Sequence, residues 1–315
     1  MNEKTRNQIN EMKKQTIGVE IEMNNITRQK AAKIAATFFG TGRIEYTANR
    51  NGYYTWSAWD TQGREWKFSR DVSISGPDDE KCEMVTPILT YADIESLQEL
   101  CRQLRRAGAK SDATRGCGVH IHIGAKGHTP QTLRNLANIM ASHESLLAEA
   151  LKLDRSRMNR YCRTVDPNFL REVNRKKPAS MASLADIWYT SQGEDYGRSQ
   201  HYNGSRYHML NLHATFTKGT VEFRLFQFDA PANGKQNGIH AGQLKSYIQL
   251  CLALSEMAKE VKTASPKPQQ NENPKYAMRT WLLRLGFIGE EFETARDILT
   301  RNLAGDAAFR HGRAA

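Results

Sequence analysis

Three short stretches set tight limits on how this chain can fold. They are Gly18-Val19-Glu20-Ile21-Glu22-Met23, Gly116-Cys117-Gly118-Val119-His120-Ile121-His122-Ile123-Gly124 and Thr220-Val221-Glu222-Phe223-Arg224-Leu225-Phe226. Each alternates apolar with ionisable residues. Successive side chains of a β-strand point to opposite faces, so a period of two reads as strand. Glu20 and Glu22 then share one face, as do His120 with His122 and Glu222 with Arg224. Taken singly, each pair also fits the wet side of an ordinary amphipathic strand. Three such pairs in strongly apolar strands are most economically one sheet. Helices cover its apolar face, and its polar face is a site lined by Glu, Glu, His, His, Glu and Arg.

The rest of the chain supplies the partners of these strands. Thr27 or Asn25 caps a helix running to Phe39, with Ala31, Ala32, Ile34, Ala35 and Phe38 inside. Residues 43–75 read as short antiparallel strands, Arg43–Thr47, Tyr53–Trp59 and Arg64–Ser69, with turns at Asn51-Gly52 and Gln62-Gly63. Asp71–Ser75 is a further alternating piece, and Glu80–Leu89 is a strand that Pro87 limits. Helices are expected over Tyr91–Arg106, Pro130–Lys152 and Asn233–Lys262, then Tyr276–Leu285 and Glu290–Leu303 around Gly286. Tyr207–Thr217 and Gly219–Phe228 read as paired strands joined by a tight turn at Lys218-Gly219. The expected class is α+β with a mostly antiparallel, curved sheet and helices on one face. The expected organisation is a polar lead over 1–15, a catalytic domain over 16–262, a Pro/Gln/Asn linker over 263–275 and a helical extension over 276–315, frayed at its end.

Composition narrows the class. The chain has 315 residues, 39% hydrophobic and 25% charged, enough for a sizeable core. No apolar run approaches the roughly 20 residues of a spanning helix, and Met1–Gln15 has no signal-peptide segment. A cytoplasmic protein is expected. Five widely spaced cysteines without a CxxC pair fit reduced thiols. A net charge of +11 and a pI of about 9.4 favour anionic partners or, more blandly, give a basic solvated surface. Much of that charge lies in 155–177, with Arg155, Arg157, Arg160, Arg163, Arg171, Arg175, Lys176 and Lys177 interleaved with Tyr161 and Phe169.

The polar face suggests a metal–nucleotide site. Mg2+ and Mn2+ prefer carboxylate oxygens and tolerate an imidazole, Mn2+ more readily. Glu20, Glu22, Glu83 and Glu222 with His120 suffice for two ions. Arg224 beside them argues for a bound phosphate or carboxylate. A zinc hydrolase built on His120 and His122 competes, but leaves the Glu-X-Glu pair and Arg224 without roles. A P-loop and a G-x-G-x-x-G turn are both absent from the sequence. Cys117, next to the site, reads as a buried thiol rather than a nucleophile. A nucleic-acid-binding protein using the aromatic-interleaved 155–177 segment is the alternative from a different class.

Five motifs in order carry a resemblance: Gly-Val-Glu-Ile-Glu, Glu-Met-Val-Thr-Pro-Ile-Leu, Gly-Cys-Gly-Val-His-Ile-His, Arg-Tyr-His-Met-Leu-Asn-Leu and Thr-Val-Glu-Phe-Arg-Leu-Phe. From about Thr16 to Lys262 the chain resembles the amidoligase family. That family is grouped with glutamine synthetase and glutamate–cysteine ligase in the carboxylate–amine ligase superfamily. The resemblance implies a half-barrel sheet like the glutamine synthetase catalytic domain, helices on its convex face and the site on its concave face. It implies an ATP-dependent ligase that forms an amide through an acyl phosphate, with ATP and two Mg2+ or Mn2+ ions. The carboxylate substrate is expected to be an anionic amino acid or peptide and its partner an amine, with no membrane or nucleic acid involved.

Residue by residue, the resemblance makes Glu20, His120 and Glu222 ligands of the ion bridging the ATP phosphates. Glu22 and Glu83 hold the other ion. His122 contacts ATP, Arg224 binds phosphate and stabilises the transferred phosphoryl group, Arg206 is a further phosphate contact, and Asn211 orients groups nearby. The chain departs from glutamine synthetase in its middle segment, where only Glu83 is well placed; Asp71 and Glu80 are candidates for a second carboxylate. The Gly-containing loop 191–206 is expected to be mobile without ligand and to close as a lid, with Arg198 or Arg206 meeting anionic groups.

Overall fold

A computed structural model describes residues 2–47, 52–230, 238–268 and 272–310. In chain order its elements begin with α1 (Glu3–Lys13), β1 (Ile17–Met23), α2 (Arg28–Phe38), β2 (Ile44–Thr47), β3 (Thr55–Trp59) and β4 (Glu65–Ser69). They continue with β5 (Cys82–Val85), α3 (Ile94–Arg106), β6 (Val119–Gly124), α4 (Pro130–Ala150), α5 (Arg155–Arg160), α6 (Pro167–Lys176) and α7 (Met181–Thr190). The last are β7 (Leu210–Asn211), α8 (His213–Lys218), β8 (Thr220–Phe226), α9 (Ala241–Glu260), α10 (Pro274–Arg284) and α11 (Glu293–Thr300). The fold is α+β, as expected, with a curved, unclosed eight-stranded sheet in the order β2-β3-β4-β5-β1-β6-β8-β7. Every pairing with a described register is antiparallel.

The chain groups into two compact units. One comprises Thr16–His122 and Phe226–Lys245. In it α2 packs on β3 and β4. The side chain of Thr27 caps α2 by accepting from the Lys30 N–H at 3.3 Å. Ala31, Ala32, Ala35 and Ala36 form its buried face, and their small size lets the helix approach the sheet closely, over Trp66 and Phe68. Ile34 and Phe38 are only half-buried. The Trp66 indole N–H donates to the Asp60 carboxylate at 3.1 Å. Arg64 binds that carboxylate and Asp93, which ties the β3–β4 turn to the start of the third helix.

The other unit comprises Met1–Gln15, Ile123–Leu225 and Ser246–Ala315. Its core includes Leu133, Leu136, Met140 and Leu147 of α4, with Phe169, Trp188 and Phe223. The N-terminal stretch, expected to be a polar lead, is a helix in this unit. Ile9 and Met12 are buried, Gln8 donates to the Arg284 carbonyl at 3.2 Å, and Lys13 pairs with Glu291 at 2.7 Å.

Several further elements differ from expectation. Tyr207–Thr217 is no long strand: β7 is two residues, and the one-and-a-half-turn α8 follows, ending on Gly219 in the left-handed conformation. Asp71–Ser75 is a turn, because the Asp71 carboxylate accepts from the Ser73 N–H at 2.7 Å and bends the chain. Residues 155–160, 167–176 and 181–190, given no element above, form α5, α6 and α7. The expected turn residue Asn51, the start of the Asn233–Lys262 helix, the middle of the 263–275 linker and the last five residues lie outside the described residues.

Candidate active site

In the first unit the carboxylates come together through strand register. β1 and β5 pair antiparallel with Glu22 opposite Glu83 and Glu20 opposite Val85. Glu22 is buried, and its carboxylate accepts from the Gly118 N–H at 2.6 Å. Its own N–H donates to the Gly118 carbonyl at 3.1 Å, which places the entry to β6 beside β1. Gly116 makes that entry possible: its φ is +70°, and a Cβ there would lie 2.6 Å from the Ser73 carbonyl oxygen. Only glycine fits this close approach.

β6 then presents its two imidazoles to Glu20. His120 Nδ1 lies 3.1 Å from one Glu20 carboxylate oxygen and His122 Nε2 lies 3.3 Å from the other. His120 Nε2 is 3.8 Å from Glu22. Burial alone would push the Glu20 carboxyl up. The His122 and His120 imidazoles outweigh it and hold the group well below the usual carboxylate range.

Two sets of side chains here offer ligand atoms within 4.8 Å of one another: Glu20, Glu83 and His120, and Glu22, Asp71 and Glu83. The second set is three carboxylates with no imidazole. Crowded carboxylates repel, so this set fits a hard divalent cation better than an empty protein surface. Of the two candidates for a further carboxylate, Asp71 joins the group. Glu80 lies in the 3₁₀ turn Asp78–Glu80, outside it.

In the second unit β7 and β8 pair with Asn211 opposite Glu222. The Asn211 amide donates to one Glu222 carboxylate oxygen at 2.6 Å and Arg224 donates to the other at 2.5 Å. All three side chains are buried. Tyr207 lies beneath two guanidinium groups, 5.9 Å from Arg224 and 5.7 Å from Arg206. Arg206 is buried, also lies 5.5 Å from the Tyr202 ring, and donates to the His201 carbonyl at 3.0 Å. Among the described residues no carboxylate pairs with it.

One residue of this neighbourhood was not singled out from sequence. Arg157 is buried, and its guanidinium donates to the Arg224 carbonyl at 3.4 Å. In the sequence it is one cation in a basic run. Its only local signal is Asp154, whose carboxylate caps α5 and fixes the helix that carries Arg157. The basic run divides: Arg155, Arg160 and Arg163 are exposed, whereas Arg171, Arg175 and Lys176 converge on Glu172.

Residues 191–206 are braced from within. His213 contacts the Gln200 carbonyl at 3.0 Å through Nε2 and the Tyr189 hydroxyl at 2.7 Å through Nδ1. The Asn203 amide donates to the Glu194 and Tyr196 carbonyls. Arg198 is held by Asp186 at 2.6 Å and by Asp195. It is therefore committed to two carboxylates, Asp195 of its own segment and Asp186 of α7. All five cysteines are buried and free, and burial raises the thiols of Cys82 and Cys101 to about 12. Among the described residues no helix is long and apolar enough to cross a membrane.

Comparison with known proteins agrees with the motif order. No curated protein matches the chain. Among solved structures, a bifunctional glutathione synthetase from Pasteurella multocida is similar at 13% identity and a TM-score of 0.47. The similarity covers 96% of this chain and 49% of that one, so the chain spans about half its length. A family model described as putative amidoligase enzyme matches residues 13–255, most of the chain and all five motifs, and the chain belongs to that family.

Proposed function

We propose that this protein is an ATP-dependent carboxylate–amine ligase that forms an amide bond through an acyl phosphate. The observation that carries the reading is the set of carboxylates and imidazoles on β1, β5 and β6, with Asp71 beside them. Glu20, Glu83 and His120 would hold one Mg2+ or Mn2+ ion and Glu22, Asp71 and Glu83 a second, with Glu222 a further ligand. Such ions would neutralise charge on the ATP phosphates. His122 would contact ATP.

The residues of β8 have the complementary task. An oxygen of the substrate carboxylate attacks the γ-phosphorus of ATP, and ADP leaves. The amine nitrogen then attacks the acyl carbon, phosphate leaves and the nitrogen gives up a proton. Arg224, held by Glu222 and backed by Arg157, would stabilise the phosphoryl group in transit. Arg206 and Arg224 give the acid-binding side a cationic lining, so the acid would carry a second anionic group, as a glutamyl or aspartyl compound does. A zinc hydrolase on His120 and His122 would leave Glu22, Asp71 and Glu83 without a task.

Hydroxylamine traps acyl phosphates. The protein, ATP and Mg2+ are incubated with hydroxylamine and a panel of amino acids and acidic peptides. The expected products are a hydroxamate, ADP and phosphate in equal amounts. Absence of both hydroxamate and released phosphate across the panel would overturn the reading.

A further inference from the structure

A groove of about 1020 Å³ lies in the second unit, between α4, the end of α9 and α10. Met257, Val261 and all of α10 lie beyond the segment that the family model matches. The groove is thus walled partly by residues inside that segment, on α4, and partly by residues outside it. Its volume is at the upper end for small-molecule sites. The floor is apolar: Ile139 and Leu146 on one face of α4, Met257 near the end of α9, Val261 just beyond it, and Trp281 on α10. Leu146, Met257 and Val261 are only half-buried, so apolar surface remains in contact with water.

The rim is cationic. Lys267, Arg284 and Arg310 border the groove against a single carboxylate, Glu272. All four are exposed, and among the described residues none of them forms an ion pair. Elsewhere this chain pairs its surface arginines readily, as at Glu99, Glu172 and Asp78. His143 adds to the wall. Its ring stacks on Trp281 at 3.8 Å, its Nδ1 lies 2.9 Å from the Ile139 carbonyl, and burial pushes its pKa down. The imidazole is neutral and contributes a flat aromatic surface.

We propose that this groove binds a small amphipathic organic anion, with its apolar body on the α4–α9 floor and its acidic end at the Lys267, Arg284 and Arg310 rim. The ligand class follows from the two halves of the wall. An apolar molecule would leave three cations unmatched, and a purely ionic one would leave the floor wet. Long-chain carboxylates and aromatic sulfonates have the required chemistry. The site needs neither ATP nor turnover, so its failure is separate from failure of the ligase reading.

The test uses the full chain and the fluorescent anion 8-anilinonaphthalene-1-sulfonate. Its emission should rise saturably with protein. Decanoate should displace it, and decylammonium, with the same tail and opposite charge, should be at least about tenfold less effective. Arg284→Glu reverses a rim charge, and Thr280→Trp fills the groove from α10; each should weaken binding at least about tenfold. Melting curves establish that the variants are folded, and Lys267→Glu replaces Arg284→Glu if that variant is not. No saturable binding, binding unchanged in the folded variants, or equal displacement by decylammonium would overturn the proposal.

Discussion

Glu22 and Glu83 face each other directly across the β1–β5 ladder. Like charges directly opposite one another destabilise a sheet. Here Asp71 adds a third negative group within 4.8 Å. A cation bound among them would relieve that repulsion. Mn2+ or Mg2+ should therefore raise the melting temperature, by linkage worth about 2.7 kcal/mol at a hundredfold excess over Kd. Glu83→Gln should raise the melting temperature without metal and remove most of the metal-dependent rise. Differential scanning calorimetry with Mn2+ and with EDTA measures both; a metal-free variant less stable than the wild type would mark Glu83 as a structural group.

Arg224 is held on both sides, by the Glu222 carboxylate and by the backbone contact from Arg157. A lysine there keeps the charge and loses the planar, bidentate fork. Arg224→Lys should lower ATP-dependent hydroxamate formation by about 10²–10³, the scale of losing one transition-state donor. Its melting temperature should change little by comparison. Equal turnover in the variant would remove Arg224 from the reacting groups.

β1, β6 and β8 were legible because each is spelled by a period-two pattern with a glycine at or next to its start. Gly116 marks a turn and a close approach that a side chain would block. The caps of α2 and α4 were equally legible, in Thr27 and Thr129. Elements set by tertiary context were not. The Tyr207–Thr217 stretch looks like a strand because Met209, Leu210 and Leu212 are all apolar; only Leu210 and Asn211 form a ladder, His208 makes an isolated bridge to Arg163, and α8 is too short for a periodicity to register. α1 reads as polar overall, yet Ile9 and Met12 suffice to anchor it. Composition cannot distinguish Arg157, buried behind Arg224, from Arg155, exposed two residues earlier. Asp71, by contrast, was named from sequence as one of two options, and the turn it makes with Ser73 brings it to Glu22 and Glu83.

Glu144 gives the fold a dependence on pH. It is buried in α4 and accepts from the Val165 N–H at 2.7 Å; burial pushes its carboxyl from 4.5 up to about 7. The folded chain thus holds this proton more tightly than the unfolded one. Its contribution is fully present below pH 4.5 and is lost as pH rises through about 7. The shift corresponds to about 3 kcal/mol. Urea denaturation between pH 4.5 and 8 should show that decline, superimposed on other groups. Glu144→Gln, which keeps an acceptor for Val165, should flatten it. An unchanged slope would mean that Glu144 is ionised in the folded chain.

Residues 191–206 offer a sharper contrast between a loose loop and a braced one. Tyr196 is 98% exposed and Tyr202 62% exposed, as in a mobile segment. Beneath them the backbone is tied down through Gln200 to His213 and through Asn203 to Glu194 and Tyr196. His213 opens α8, two residues after Asn211, the partner of Glu222. Trypsin can reach this segment only at Arg198, because Arg206 is buried. Arg198 is itself engaged by Asp186 and Asp195. Cleavage after Arg198 should accordingly be slow in the wild type. His213→Ala removes the donor to the Gln200 carbonyl, worth about 1 kcal/mol, so the open population and the cleavage rate should rise about fivefold. Tyr189→Phe removes the hydroxyl that lies 2.7 Å from His213 Nδ1 and 3.2 Å from the Arg198 carbonyl, and should raise the cleavage rate as well. If all three proteins were cut equally fast, the brace would not control opening.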